Sequence, residues 1–551
     1  MTANEENGED VIEGSSKSRH LDSLKQRVSF SSVRLSIRSV ASLSDADTSS
    51  QPDNIETMDQ DLLRGMSKSL TFEGADRLSR AIPLASVMRG CGSIFSASQG
   101  TMATFDLSVP ARRIKYFISH NWSVSRWDKF TALALTFNFH FMAVIMLFTL
   151  GTIAVLSLLG LAPELETRSD TKLSAGFLAR MTVVPISFCV LLFGRDLCSI
   201  FGWIGPLTFL DKACIHQVDE GLKGEGIEKL GAFLRISDRM LILYGEAYCR
   251  KLWTVYEVAN FLIFNTVTRL DVMPVLLPRI VFCAIPLFFA NALLTMFLRS
   301  CCDVHWTMYV CVFVSSVTYA ILCRRWALHK AETQTRLKNF EVRDCVCAVE
   351  SDRKIIYGKI AGLMRISRRV EREASLEECL TAFNEMVRGM MPVAFKVMFG
   401  PNMLSYPHYL LVGSILSAPT AVDELTRLQY EPAQTIKGFC RDAFWCITGY
   451  PIAMWCTEVM VGRFPHWRGC RQVFLLLGTI IGLMIPGIAV DTVMDFLEHR
   501  SEPWALWAMI AITSFTTLST ILVDQLLGSR AGKKILRPAK GKILSVMIQC
   551  N

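Results

Sequence analysis

Residues 206–278 read PLTFLDKACIHQVDEGLKGEGIEKLGAFLRISDRMLILYGEAYCRKLWTVYEVANFLIFNTVTRLDVMPVLLP, and their hydropathy pattern differs from that of the sequence on either side. Continuous apolar runs of strand length, LTFL, MLILY and VMPVLL, alternate with stretches whose apolar residues recur at helical spacing. A continuous apolar run is typical of a strand that is covered on both faces. The order strand, helix, strand, helix, strand predicts a small parallel sheet.

A fourth strand is predicted at IKYFIS, Ile114 to Ser119, which precedes two long apolar blocks. Two membrane crossings return the chain to the side from which it started. We therefore expect this strand to pair in parallel with the strands of residues 206–278, on the cytosolic side.

The remaining sequence predicts a membrane protein. Of 551 residues, 51% are hydrophobic and 20% are charged, and the mean hydropathy is +0.33. This composition excludes an ordinary soluble enzyme. Blocks of about 20 apolar residues match the hydrocarbon core of a bilayer. Eight such blocks are Ala132–Leu159, Leu173–Gly194, Ile280–Phe297, Trp306–Cys323, Tyr406–Val422, Ala443–Val461, Val473–Val490 and Trp504–Leu527.

The charges of the loops orient these spans. The loop Gly462 to Arg471 and the tail after Leu527 carry Lys and Arg without acids, so we expect both to be cytosolic. The acidic loop with Glu164 and the segment AVDELTRLQYEPAQ suit the other side. Tyr406–Val422 contains two prolines, and a re-entrant segment is the alternative there. The predicted fold class is a predominantly α-helical multi-pass membrane protein with about eight transmembrane helices, both termini cytosolic, and a small cytosolic α/β parallel-sheet domain.

The domain boundaries follow from composition. The expected segments are a disordered Ser/Arg-rich cytosolic tail (1–110), the first strand and helix of the sheet domain (111–131), a transmembrane hairpin (132–194), the main part of the sheet domain (200–278), a second hairpin (280–323), a basic helical linker (324–402), four further transmembrane helices (403–527) and a basic tail (528–551). Six Lys and Arg residues between Lys17 and Arg38 predict contact of the N-terminal tail with anionic lipid, or else a solvated basic linker. No nucleic-acid partner is expected.

Polar residues follow the predicted strands, and ligands of parallel sheets bind at the carboxyl ends of strands. These ends carry Ser119 with His120, Asp211 with Lys212, and Gly245 with Glu246. Polar residues also follow ordinary strands. His120 and Trp122 are alternatively a strand cap and a packed aromatic. Cys214 and His216 supply only two ligands, so no metal site is predicted.

The sequence resembles a TIR (Toll/interleukin-1 receptor) domain. YFISH (116–120) resembles the first TIR strand, FLDK (209–212) the second, and WTVYE (253–257) the helix start W-C-x-x-E. The order of FISHNW, membrane spans and FLDKACIHQ is similar to that of multi-pass proteins of protists. Thr254 stands where the family has Cys, two spans interrupt the sheet, and the last TIR strand and helix are absent.

The resemblance implies two kinds of function for the sheet domain, self-association or hydrolysis of NAD, with NAD as a substrate and no bound cofactor. Glu257 then corresponds to the catalytic carboxylate, and Ser119, His120, Asp211 and Trp253 converge on it to bind the substrate. In the alternative interpretation, Glu257 is a solvated helix acid balanced by Arg250 and Lys251, and Trp253 is a core residue. The sheet domain is then a structural or regulatory insert of a transporter or channel.

The topology is testable with tags. Tags at Thr2 and after Cys550 should both be inaccessible to antibody from outside intact cells, because an even number of spans keeps both termini inside. Labelling of one terminus alone would contradict the even count.

Overall fold

The computed structural model of the protein describes residues 69–166, 174–302, 307–347, 350–398 and 406–463, with scattered positions between 492 and 511. The strands are β1 (Arg80–Pro83), β2 (Val109–Pro110), β3 (Ile114–Ser119), β4 (Glu164–Glu166), β5 (Ser174–Gly176), β6 (Leu207–Phe209), β7 (Ser237–Tyr244) and β8 (Leu270–Pro274). The helices are α1 (Leu84–Gly92), α2 (Met102–Asp106), α3 (Arg126–Leu158), α4 (Leu178–Ile200), α5 (Asp211–Cys214), α6 (Glu220–Glu228), α7 (Leu230–Ile236), α8 (Leu252–Phe264), α9 (Leu276–Cys302), α10 (Thr307–Lys338), α11 (Ser351–Ile366), α12 (Leu376–Met398), α13 (Tyr406–Glu424), α14 (Pro432–Phe444) and α15 (Tyr450–Arg463).

The main sheet has the strand order β2-β1-β6-β3-β7-β8, with β3 near its centre. β3 pairs in parallel with β6, Phe117 opposite Phe209, and in parallel with β7, Phe117 opposite Met240. The expected pairing across the intervening hairpin is therefore observed. β1 joins β6 in the antiparallel direction, so the sheet is mixed and not purely parallel as predicted. We call this sheet, with the helices packed on it, the sheet module.

The predicted disordered tail, residues 1–110, is wrong for its last part. β1 and α1 bury Ala81, Ile82, Leu84 and Val87 completely in the core of the sheet module. Their apolar run is too short to show a period in the sequence, and its burial depends on β6, more than 120 residues later. Residues 1–68, including the basic stretch, lie outside the described residues.

α3 connects the sheet module to the apolar part of the chain without a break. It is a single helix of 33 residues, about 50 Å long at 1.5 Å per residue. Its first turns bury Phe130 and Leu133 in the core of the sheet module, whereas Met142 and Met146 pack in a second cluster with α4. The predicted boundary at residue 131 is thus absent, because one helix serves both parts.

Helices cover six of the eight predicted spans, and the other two fall largely outside the described residues. Among the described residues, only α3 and α4 are long and apolar enough to cross a membrane, so the prediction of eight spans is not confirmed. Only 28% of the apolar window of α3 and 33% of that of α4 is buried inside the protein. Most positions in these two windows are therefore at least partly exposed among the residues that the structure describes.

Residues 324–402 are not a linker. The second half of α10 together with α11 and α12 packs on α8 and β8, and Leu337, Ile356 and Phe383 belong to the core of the sheet module. On α12, Leu380, Phe383 and Val387 are buried, and Leu376 is exposed. These helices cover the part of the sheet beyond β7, where β8 is the edge strand.

The far ends of the apolar helices meet around Asp423. Its carboxylate accepts hydrogen bonds from the backbone N–H groups of Ala179 (2.8 Å) and Arg180 (3.1 Å), and it pairs with the Arg180 guanidinium (2.9 Å). This arrangement caps the first turn of α4. Thr426 binds the backbone N–H of Gly176 from the same side. The two loops predicted to share the non-cytosolic side therefore contact each other.

The burial of β1 in the core can be tested by measuring stability. Ile82→Ala should lower the unfolding temperature of the protein clearly, since removing a fully buried Ile side chain costs ~2–5 kcal/mol. Val109→Ala, on the exposed strand β2, should have little effect. Thermal unfolding of both variants in detergent checks this, and equal unfolding temperatures would mean that β1 does not belong to the core.

Candidate functional site

Glu257 and Ser119 lie in direct contact at the carboxyl edge of the sheet. Ser119 is the last residue of β3, and its hydroxyl donates to Glu257 Oε2 at 2.5 Å. Tyr248, which is fully buried in the loop after β7, has its hydroxyl 2.5 Å from Ser119 Oγ. Because the Ser119 hydroxyl donates its hydrogen bond to Glu257, the Tyr248 hydroxyl donates a hydrogen bond to Ser119 Oγ. The two hydroxyl groups hold the carboxyl group in one orientation.

This environment changes the acidity of Glu257. Burial raises the pKa of its carboxyl to about 8, the Ser119 hydrogen bond lowers it in part, and the nearby charge of Asp211 raises it. No ion pair joins Glu257 to Arg250 or Lys251 in the described part of the chain. The alternative interpretation of a solvated, charge-balanced helix acid therefore does not describe this residue. A displaced pKa next to a strand end is a feature of functional carboxylates.

Asp211 connects the Glu257 group to the segment after β3. It follows β6, and its Oδ2 accepts a hydrogen bond from the indole of Trp122 at 3.0 Å, while Oδ1 accepts from the backbone N–H of Lys212 at 2.7 Å. Its charge acts on the pKa of both Glu257 and His120. The ends of β3 and β6 therefore contribute to one group of side chains, as the parallel pairing requires.

His120, the residue after β3, lies near Asp211, whose charge acts on it. The side chain is buried, with its ring 4.6 Å from the Trp122 ring and 5.6 Å from the Phe95 ring. Burial lowers the pKa of His120 to about 4, so the ring is neutral at pH 7. Its Nε2 atom has no hydrogen-bond partner among the residues that the structure describes. The ring is thus both a packed aromatic and a polar group at the site.

Trp253 does not join this group, contrary to the prediction. Its indole N–H donates to Asp352 of α11 at 3.2 Å, and its ring packs beside Tyr256. Side chains on a helix lean towards its N-terminus, so a ring at the start of α8 extends past the sheet edge to α11. Trp122 takes the place expected for Trp253. Trp122 adjoins the FISH motif and was noticed in the sequence, whereas nothing in the sequence marks Tyr248.

The cysteine and histidine pair near this edge is structural. Cys214 is buried, and burial raises the pKa of its thiol to about 12. His216 contacts Met102 and Phe105 of α2. No group of three metal-binding side chains occurs within the described ranges.

Comparison of the chain with protein-family models, with curated proteins and with solved structures gives no match. Glu257 is partly exposed. On another face of α8, Ala259 and Leu262 pack against Met386, Val387 and Met390 of α12 around a shallow apolar depression with no room for a water molecule, and Glu257 does not line it.

The role of Ser119 can be tested through the acidity of Glu257. Ser119→Ala removes the hydrogen bond that favours the carboxylate, so it should raise the pKa of Glu257 above about 8. Ser237→Ala is the matched control, because Ser237 is equally buried but bonds to Phe233 at the amino end of β7. The pKa is measured from the infrared band of the protonated carboxyl, as the difference from Glu257→Gln. An unchanged pKa in Ser119→Ala would contradict the observed contact.

Proposed function

We propose that this protein is a multi-pass membrane signalling protein whose cytosolic, TIR-like sheet module hydrolyses the nicotinamide–ribose bond of NAD. The observation that carries the proposal is the Glu257 carboxyl, held by Ser119 at the carboxyl edge of the parallel strands. The TIR resemblance places a catalytic carboxylate at this residue, and the contact supports it from the geometry. Asp211 lies close enough for its charge to act on the Glu257 carboxyl. It also accepts a hydrogen bond from the indole of Trp122, whose ring lies under the Lys129 ammonium at 4.5 Å.

Hydrolysis of the nicotinamide–ribose bond requires one carboxylate in a desolvated position. As the bond between ribose C1′ and the nicotinamide nitrogen breaks, positive charge develops on the ribose, and a nearby carboxylate stabilises it. Nicotinamide leaves with the bonding electrons as a neutral molecule. The oxygen of a water molecule then bonds to C1′ and releases a proton to solvent, which gives ADP-ribose. Glu257 acts in its ionised form, and the cationic nicotinamide ring of the bound substrate favours that form.

The membrane part of the proposal is supported by α3 and α4, whose apolar windows are mostly at least partly exposed among the described residues. The contact of Gly176 with Thr426 also supports it, because both lie at the end of the helices opposite to the sheet module. In this arrangement the termini and the module are cytosolic. The expected partners are the bilayer, other copies of the module and, for the basic N-terminal tail, anionic lipid.

The alternative function, transport with a regulatory sheet module, has one observation in its favour. Glu458 of α15 is buried and accepts a hydrogen bond from Tyr319 of α10 at 2.8 Å. Buried carboxylates among apolar helices often serve ions or protons. Glu458→Gln separates the two functions: a transporter should lose flux, whereas NAD cleavage at the distant sheet module should be unaffected.

The catalytic role is tested with purified full-length protein in liposomes. Glu257→Gln should lower the rate of NAD cleavage by ~10²-fold or more, since removing one group that stabilises the charge of the transition state typically costs that much. Glu246→Gln, at the exposed end of the next strand, is the matched control and should keep the rate of wild type. Equal rates in Glu257→Gln and wild type would refute the assignment. A wild type that does not cleave NAD even when clustered on membranes, but that self-associates, would point to a binding module.

The pH dependence gives a second test. Since the ionised form of Glu257 is required, kcat/KM for NAD should rise about tenfold per pH unit up to about pH 8 and then level off. A profile that is flat between about pH 6 and 9 would contradict a catalytic Glu257 with this pKa.

The same pKa predicts the stability of the Glu257→Gln variant. Between its ordinary pKa of 4.5 and about 8, Glu257 binds a proton in the folded but not in the unfolded state, so its contribution to stability falls as the pH rises through this range. Gln has no such titration. Above about pH 8, Glu257→Gln should therefore unfold at a higher temperature than wild type, and a lower temperature would show that its loss of activity reflects misfolding.

A further inference from the structure

The segment Ile200–Ile204, which we call the apolar loop, exposes large side chains that no described part of the protein covers. The exposed fractions are 76% for Ile200, 79% for Phe201, 68% for Trp203 and 52% for Ile204. Single exposed apolar residues are common on protein surfaces, but a contiguous group of this size marks a site of contact. The loop separates α4 from β6, so it lies at the junction of the apolar helices and the sheet module.

The backbone of the apolar loop is fixed, although its side chains point outward. The N–H of Trp203 donates to the Cys198 carbonyl at 3.0 Å, and the Ile204 carbonyl accepts from Ala85 of α1 at 3.0 Å. Gly202 has φ +80°, a value that other residues rarely adopt, and it allows the sharp reversal after α4. The loop is therefore built to present these side chains and does not collapse onto the module.

The surroundings of the loop identify what covers it. Along α4, Phe193 and Leu197 are also exposed, so the loop continues the uncovered apolar surface of that helix. Trp127, in the first turn of the antiparallel helix α3, is 58% exposed and lies under the Arg126 guanidinium at 5.5 Å. Contacts such as Asn138 with Leu191 set the two helices side by side, which brings Trp127 to the same end as the loop.

The length of α4 determines how deep the apolar loop lies in a bilayer. Its 23 residues span about 35 Å, slightly more than the ~30 Å hydrocarbon core of a bilayer. If α4 crosses the membrane, the residues after Ile200 lie at the boundary between acyl chains and headgroups. Trp is enriched at this depth, where its ring is buried and its N–H remains hydrated.

We propose that the apolar loop inserts into the lipid headgroup boundary on the side of the sheet module, with glycerophospholipid as its binding partner. Phe201 and Ile204 contact acyl chains, and Trp203 and Trp127 lie at headgroup level. The insertion holds β1 and β6 against the membrane surface. β6 follows the loop in the chain, and α1, which follows β1, is bonded to the Ile204 carbonyl through Ala85. This proposal does not depend on NAD cleavage, and it holds for the transport alternative as well.

The test uses full-length protein labelled with 5-fluorotryptophan in lipid nanodiscs. Trp203→Phe assigns the Trp203 fluorine resonance by its loss, and Trp253→Phe assigns the matched control inside the sheet module. Lipid with a nitroxide near the headgroup should broaden the Trp203 resonance until it is lost, while the Trp253 resonance keeps its width. A water-soluble gadolinium chelate should affect Trp203 less than the lipid label does.

Two other outcomes would overturn the proposal. Broadening of Trp203 by the chelate alone would place the loop in water. Insensitivity to both reagents would mean that a protein surface, such as a second copy of the chain, covers it. Far-UV circular dichroism of Trp203→Phe confirms that the assigned variant is folded, and the exposed position with an aromatic replacement makes a folding defect unexpected.

Discussion

The hydrogen bonds on the two edges of β3 are the interaction on which the rest of the molecule depends. β6 occupies one edge and β7 the other, both in parallel register. This pairing brings Ser119, at the end of β3, beside Asp211 after β6 and Glu257 after β7. Because α3 follows β3 closely in the chain, the first turns of α3 pack on the core of the sheet module through Phe130 and Leu133. Without β3 in the centre, the sheet module would have neither its core nor its group of polar side chains.

The order of strands in the chain explains why α3 and α4 approach each other. The chain leaves β3 through α3 and must return to β6, the neighbouring strand, through α4. A parallel neighbour needs a crossover connection, and here the connection is a helical hairpin long enough to reach through a bilayer. Asn138 of α3 binds the Leu191 carbonyl of α4 and fixes the two helices side by side. The sheet module and the hairpin are therefore a single structural unit.

Sequence reasoning reached the elements with a strong local signal. The runs IKYFIS, LTFL and MLILY became β3, β6 and β7, and their parallel order followed from connectivity. It missed β1 and α1, because the apolar run around Ile82 is short and gains its burial only from a distant strand. It also missed Tyr248, since nothing in a loop sequence indicates that a hydroxyl will meet Ser119. Trp253 was misplaced because helical spacing gives the face of a residue but not the direction of a long side chain.

The position of β3 ahead of the hairpin has a consequence for biogenesis. During synthesis, β3 leaves the ribosome with both edges unpaired, and its partners β6 and β7 follow only after more than 80 residues. Unpaired edges of an apolar strand favour aggregation. The strand can be protected only once α3 and α4 have folded back as a pair and delivered β6 to the same compartment. Formation of the α3–α4 hairpin is thus a checkpoint of folding, and a chain in which the two helices do not pair would leave its central strand without its β6 neighbour.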